Sequence, residues 1–154
     1  MRPTDPFGDL SGDLQNEPSN VALIAMDRDT QDMIREWLPS MNANLIAEFE
    51  DYGPQDYDGV KEWIGDASVD VCIIDFDVDP GRAFVVAGLI QHFCPGAAIF
   101  ALSEDRSPDI IIHAMRGGCR EYLFKPIDHE QLRKALARVG ANRRVRTEIG
   151  RAHV

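Results

Sequence analysis

The sequence is short of the features that mark several large classes of protein. It has no apolar run approaching the ~20 residues of a membrane span, so no membrane partner is expected. Its first residues lack the basic and apolar regions of a signal peptide. Cysteine is scarce: Cys72, Cys94 and Cys119 are odd in number, widely spaced and never arranged as C-x-x-C. That pattern argues against a disulfide or zinc framework and suits reduced packing residues of a cytoplasmic protein. Positive charge is in deficit, with 16 Lys+Arg against 26 Asp+Glu and a net charge of −10. Phosphate backbones repel such a domain, so it is not expected to bind nucleic acid. No G-x-x-x-x-G-K-[S/T] loop occurs, so the chain is not itself a P-loop ATPase. His92, His113, His129 and His153 show no metal-ligand spacing, and no repeat of fixed period is found.

What the sequence does have is a series of short, wholly apolar runs, in a chain of 154 residues that suffices for one core. The central one is V-D-V-C-I-I-D-F-D, Val69 to Asp77, unbroken from Val71 to Ile74 and stopping at Asp75. A run rich in Val and Ile, apolar on both faces, is the pattern of a strand buried in a parallel sheet. Residues 1–20 are rich in Pro, Gly, Asp and Ser without period and read as a disordered acidic tail. Val21–Met26 is a second apolar run ending at Asp27. A helix follows with Met33, Ile34, Trp37 and Leu38 on one face and Pro39 at its end. Leu45–Phe49 alternates, as an edge strand does.

Tyr57, Val60 and Ile64 carry the next helical spacing, and an apolar helix is expected from about Gly81 to Phe93. Ala97–Leu102 is a buried strand ending at Ser103, and Ser107-Pro108 opens a helix that closes at Gly117-Gly118. Glu121–Phe124 is a last short strand, ending at Lys125-Pro126. Asp128 with Gln131 forms a capping box, and Leu132, Ala135, Leu136 and Val139 give the final helix its inward face. Strand and helix thus alternate throughout with short connections. The expected fold is α/β: a doubly wound, five-stranded parallel sheet with helices on both faces. The domain is placed at residues 21–140, with 141–154 as linker.

In such a sheet the strand ends share one edge, the edge where ligands bind. Asp27, Asp75, Ser103 and Lys125 stand at four of those ends. Two close carboxylates call for a cation between them, and Mg²⁺ takes one or two carboxylates plus water and phosphate oxygens. Lysine adds fixed positive charge and serine a hydroxyl, completing a cradle for a phosphoryl group carried on a carboxylate. Plainer roles remain open: Asp27 as a helix cap, Ser103 as the start of a turn, Lys125 as a snorkelling edge residue.

From Val21 to Val139 the chain resembles the receiver domain of bacterial two-component response regulators. The stretch L-S-E-D-R-S-P-D-I-I-I-H-A-M-R-G-G-C-R-E-Y-L-F-K-P carries the resemblance best, with the spacing of Ser103, Ala114, Gly118 and Lys125 matched without a gap. The resemblance implies a flavodoxin-like (βα)5 topology with strand order 2-1-3-4-5, that Asp75 is the phosphoacceptor and that Asp27 and Asp75 hold Mg²⁺. It makes Lys125 and Ser103 the phosphate-binding pair, Tyr122 the switching aromatic, and Lys125–Pro126 a cis peptide. Asp77 is a possible additional acid. The implied partners are a histidine kinase or phosphotransfer protein and a C-terminal output domain missing from this chain. A homodimer through the fourth helix, fifth strand and fifth helix is also implied; the run Ile110–Ile112 is either part of that surface or a wide core face. The domain would catalyse nothing beyond its own phosphorylation.

Two departures stand out. Met26-Asp27 replaces the family's usual pair of acids, and in D-F-D-V-D-P the proline falls one residue late. Both also occur in receiver-like domains placed before a MinD-like ATPase in pilus-assembly proteins, which R-G-G-C-R-E-Y-L resembles as well; some of these act as docking modules without phosphorylation. If Met26 faces the site, Met26→Asp should improve Mg²⁺ binding; if it faces the core, the same change should destabilise the fold. The D-F-D of Asp75 to Asp77 also resembles the D-x-D of haloacid-dehalogenase-type phosphatases, though they carry it on their first strand. Finally, E-I-G-R-A-H-V, residues 148–154, is what a common sequencing-library adapter gives when translated, which leaves its coding status open.

Overall fold

The computed structural model describes residues 17–53, 57–64 and 68–152. The elements alternate as β1 (Ser19–Ile24), α1 (Arg28–Trp37), β2 (Ala43–Phe49), α2 (Tyr57–Ile64), β3 (Val71–Asp75), α3 (Pro80–Phe93), β4 (Ala98–Ser103), α4 (Pro108–Arg116), β5 (Glu121–Phe124) and α5 (His129–Ala152). The five strands are parallel and ordered β2-β1-β3-β4-β5, so the doubly wound architecture is as expected.

Alternation of side chains along a strand divides the core between the two faces of the sheet. Val21, Leu23, Val71, Ile73, Phe100 and Leu102 pack with Ile34 of α1 and with Leu132, Ala135 and Leu136 of α5. Ala22, Ile24, Cys72, Ile74, Ile99 and Ala101 pack on the other face with α3 and with Ala114 of α4. Burial on both faces is why the central strands read as unbroken apolar runs. The three cysteines are free thiols, and burial pushes Cys72 up to about 12 and Cys119 up to about 11.

Several element boundaries differ from the sequence reading. β1 begins at Ser19, inside the stretch assigned to the acidic tail, because Asn20 bonds to Asp70: its N–H donates to Asp70 Oδ2 at 2.8 Å. It ends at Ile24, because Ala25 turns into the left-handed region with φ 63°. α1 does stop before Pro39, giving way to a 3₁₀ turn over Leu38–Met41. β2 pairs with β1 through a bulge that passes over Ile46. α5 remains helical to Ala152, through the segment read as a linker. Residues 1–16 of the tail, the side chains of Tyr57, Val60 and Ile64, and His153 lie outside the described residues.

Helix starts follow their capping chemistry. Asp79 accepts from Arg82 N–H at 3.1 Å ahead of Pro80, and Asp128 accepts from Gln131 N–H at 2.9 Å. Gly118 has φ 103°, and a Cβ there would lie 2.1 Å from Gln91 Oε1, so this position after α4 requires glycine. On α4 only Ala114 is buried; Ile110 and Ile111 are half-buried, while Ile112 and Met115 are exposed. The isoleucine run is therefore wider than the core contact.

Candidate functional site: an acid–lysine cluster at the carboxyl edge of the sheet

β3, β4 and β5 end side by side, with Asp75 paired in register to Leu102 and Ser103 to Phe124. This register brings Asp75, Ser103 and Lys125 together. Asp75 is only 1 % exposed and Ser103 2 %. Lys125 Nζ forms a salt bridge with Asp75 Oδ2 and a second with Asp77 Oδ2 at 3.1 Å. The Lys125–Pro126 peptide is cis.

Asp77 is the most heavily bonded acid of the group. Ser103 Oγ donates to its Oδ1 at 2.6 Å and Glu104 N–H to its Oδ2 at 2.9 Å, while its own N–H donates to Asp75 Oδ1 at 2.8 Å. Burial pulls Asp77 upward, but the bonds from Ser103, Glu104 and Lys125 outweigh it and hold the carboxyl below its usual range. Asp75 goes the other way. Burial raises it, and Lys125 with the Asp77 N–H offsets only part of the rise. Burial lowers Lys125, yet its two carboxylate partners leave it raised and charged.

The loop after β4 is tied to this cluster. Asp105 N–H donates to Ser103 Oγ at 3.0 Å, and the Tyr122 hydroxyl donates to Asp105 O at 2.7 Å. Arg106 lies over the Phe124 ring at 4.2 Å. Tyr122 is thus joined to the site through the loop backbone.

Asp27 stands apart from these bonds. It caps α1, with Oδ2 accepting from Thr30 N–H at 3.1 Å and Oδ1 from Thr30 Oγ1 at 2.7 Å. The Thr30 hydroxyl is the main cause of its lowered pKa, partly opposed by burial; the Lys125 charge also acts on it. Met26 is 5 % exposed and packs in the core with α1 and α5. The left-handed Ala25 rotates Met26 inward, so its position is a core position. Among the described residues, no three His, Cys, Asp or Glu side chains form a group that could hold a metal ion.

Sequence reasoning missed Tyr52, which is 1 % exposed. Its hydroxyl donates to Asp75 O at 2.5 Å and accepts from Asp79 N–H at 3.3 Å, fixing the turn that presents Asp75 and Asp77. Arg82 reinforces it, with the guanidinium 5.6 Å from the Tyr52 ring centroid and an ion pair to Asp51 at 3.2 Å. The Glu104 amide was also missed, because backbone donors leave no trace in residue identity.

The fold is the one found in solved receiver domains. Among solved structures the chain is similar to a response regulator from Thermotoga maritima, with TM-score 0.66 and 16 % identity, covering 80 % of this chain and 98 % of that one. It is similar to a receiver domain protein from Clostridium thermocellum, with TM-score 0.65 and 19 % identity over 82 % and 98 %. It is also similar to the pilus assembly protein CpaE from Burkholderia thailandensis, with TM-score 0.63 and 19 % identity over 80 % and 98 %. Comparison of the sequence with protein-family models and with curated proteins finds no match.

Proposed function

We propose that this chain is a phosphoacceptor receiver domain, in which Asp75 takes a phosphoryl group from a histidine kinase or phosphotransfer protein during phosphorelay signalling. One observation carries the reading: a carboxylate buried at the carboxyl edge of the sheet is paired with a lysine from the end of another strand. An Asp75 oxygen attacks phosphorus, an O–P bond forms, and the donor's P–N or P–O bond breaks with its electron pair leaving on the donor. Lys125 opposes the effect of burial on Asp75 and offsets charge as the acyl phosphate forms. Ser103 Oγ and Glu104 N–H are the donors that the end of β4 brings to the acids at this edge. The domain performs no chemistry beyond this transfer.

Carboxylate oxygens are the right donors for a hard cation, and Asp27 and Asp75 would hold Mg²⁺ with water completing its shell. Bound there, the ion would offset negative charge on the phosphoryl group. Both Asp27 oxygens are engaged by Thr30, and Met26 supplies no second acid, so weak affinity is expected. Signalling onward, in the cytoplasm, would pass from the β4–α4 loop through Tyr122 to an output domain. The exposed Ile112 and Met115 of α4 support a homodimer face formed with β5 and α5.

A second reading, a docking module that works without phosphorylation, is favoured by the Met26–Asp27 corner, where one residue is core and the other a cap. The two are separated by incubating the chain with a small acyl phosphate and Mg²⁺ and measuring intact mass. The wild type should gain one phosphoryl group and Asp75→Asn none. Equal labelling of both, or of neither, removes the phosphoacceptor and leaves the docking module.

A further inference from the structure

The donors at this edge do not wait for a ligand. A hydroxyl from the end of β4, a backbone N–H from the following loop and an ammonium from the end of β5 converge on the two oxygens of one carboxylate, Asp77. A hydroxyl, an amide and a cation are also the donor types that a tetrahedral oxyanion requires. Asp77 lies two residues beyond Asp75 in the sequence, is held to it by the 2.8 Å bond from its N–H to Asp75 Oδ1, and shares Lys125 with it. An anion borne on Asp75 and the Asp77 carboxylate would therefore compete for one donor set.

We infer that Asp77 is a built-in counter-anion, which draws the β4–α4 loop onto the sheet edge in place of a phosphoryl group. The bond network gives the loop two anchors. Ser103 and Glu104 are tied to Asp77, and beyond them Asp105 O receives the Tyr122 hydroxyl while Arg106 stacks on Phe124. The drawn-in loop thus exists with Asp75 unmodified. Asp77 holds it closed, and a phosphoryl group arriving on Asp75 must displace Asp77 to gain the same donors. Phosphorylation would then be slow, and the loop would change little when it happens. This rests on the phosphoacceptor reading only for the competition; the closed loop itself does not depend on it.

The test is amide hydrogen exchange across residues 103–107 in the wild type, Asp77→Asn and Asp77→Ala, each with and without beryllofluoride plus Mg²⁺. Melting curves on the same samples establish that the variants are folded. Asp77→Ala should expose the Glu104 amide, with exchange about tenfold faster or more, the equivalent of one lost charge-assisted bond. Asp77→Asn, which keeps the shape and one acceptor oxygen but not the charge, should fall between. Beryllofluoride should restore protection in Asp77→Ala and leave the wild-type loop almost unchanged. If the Asp77→Ala loop opens and beryllofluoride fails to close it, Asp77 remains the tie while the phosphoacceptor reading fails. Wild-type protection retained in a folded Asp77→Ala would overturn the inference, whatever beryllofluoride does.

Discussion

Two corners of the same sheet edge are built in opposite ways. At the ends of β3, β4 and β5, polar side chains turn toward one another, and Asp75, Asp77, Ser103 and Lys125 form a closed set of bonds. At the end of β1, the left-handed Ala25 sends Met26 into the core, and Asp27 is left to cap α1 through Thr30. The difference shows that standing at a strand end does not by itself bring a residue into the bonded cluster. What decides is the turn after the strand. Beyond β3 the chain is fastened by Tyr52 so that two acids face Lys125; beyond β1 a single positive φ exchanges a site position for a core position.

The sharpest way to break this comparison is Met26→Asp. A buried, unpaired carboxylate at a site packed against α1 and α5 should destabilise the fold by roughly 3 kcal/mol or more. Met26→Leu should stay within about 1.5 kcal/mol. Urea denaturation with and without Mg²⁺ measures both. Recovery of the Asp variant by Mg²⁺ would show that position 26 faces the metal rather than the core.

Tyr52→Phe should come next. It removes the hydroxyl that bonds Asp75 O and Asp79 N–H in a buried place, at a cost of about 1.5 kcal/mol in the same assay. Asp27→Ala removes a helix cap and should cost about 1 kcal/mol, which makes the β1 corner the less demanding of the two.

The smallest effect has the opposite sign. Because the folded protein raises the Asp75 pKa, ionised Asp75 is a net cost. Its contribution to stability is complete below the unfolded value of 3.8 and is lost as pH rises through the folded value. Asp75→Asn should therefore melt slightly above the wild type at pH 7, and the gap should close as the buffer is brought below pH 3.8. A lower melting temperature at pH 7 would mean that the Lys125 ion pair outweighs the burial cost.

Much of this was legible in the sequence, and for one physical reason. A doubly wound sheet buries its central strands on both faces, so V-C-I-I and A-I-F-A-L stand out as unbroken runs, and the first polar residue after each marks the edge. Cap chemistry is equally local, as at Asp128 and Gln131. The remainder depended on partners distant in the chain. Tyr52 follows an edge strand, and nothing near it in sequence announces a bond to Asp75, 23 residues away. Ala25 has no special tendency to a positive φ, and the inward turn of Met26 follows from it. Asp77 was visible as an acid, but Ser103 and Glu104 reach it from 26 and 27 residues away.

Whether Asp75 accepts phosphate can be read at the atom concerned. Borohydride reduces an acyl phosphate on aspartate to homoserine, so the chain is treated with a small acyl phosphate and Mg²⁺, reduced, digested and sequenced by mass spectrometry. The account predicts homoserine at position 75, with Asp27 and Asp77 unchanged. Homoserine at position 77, or intact aspartate at all three after prolonged exposure, would contradict it.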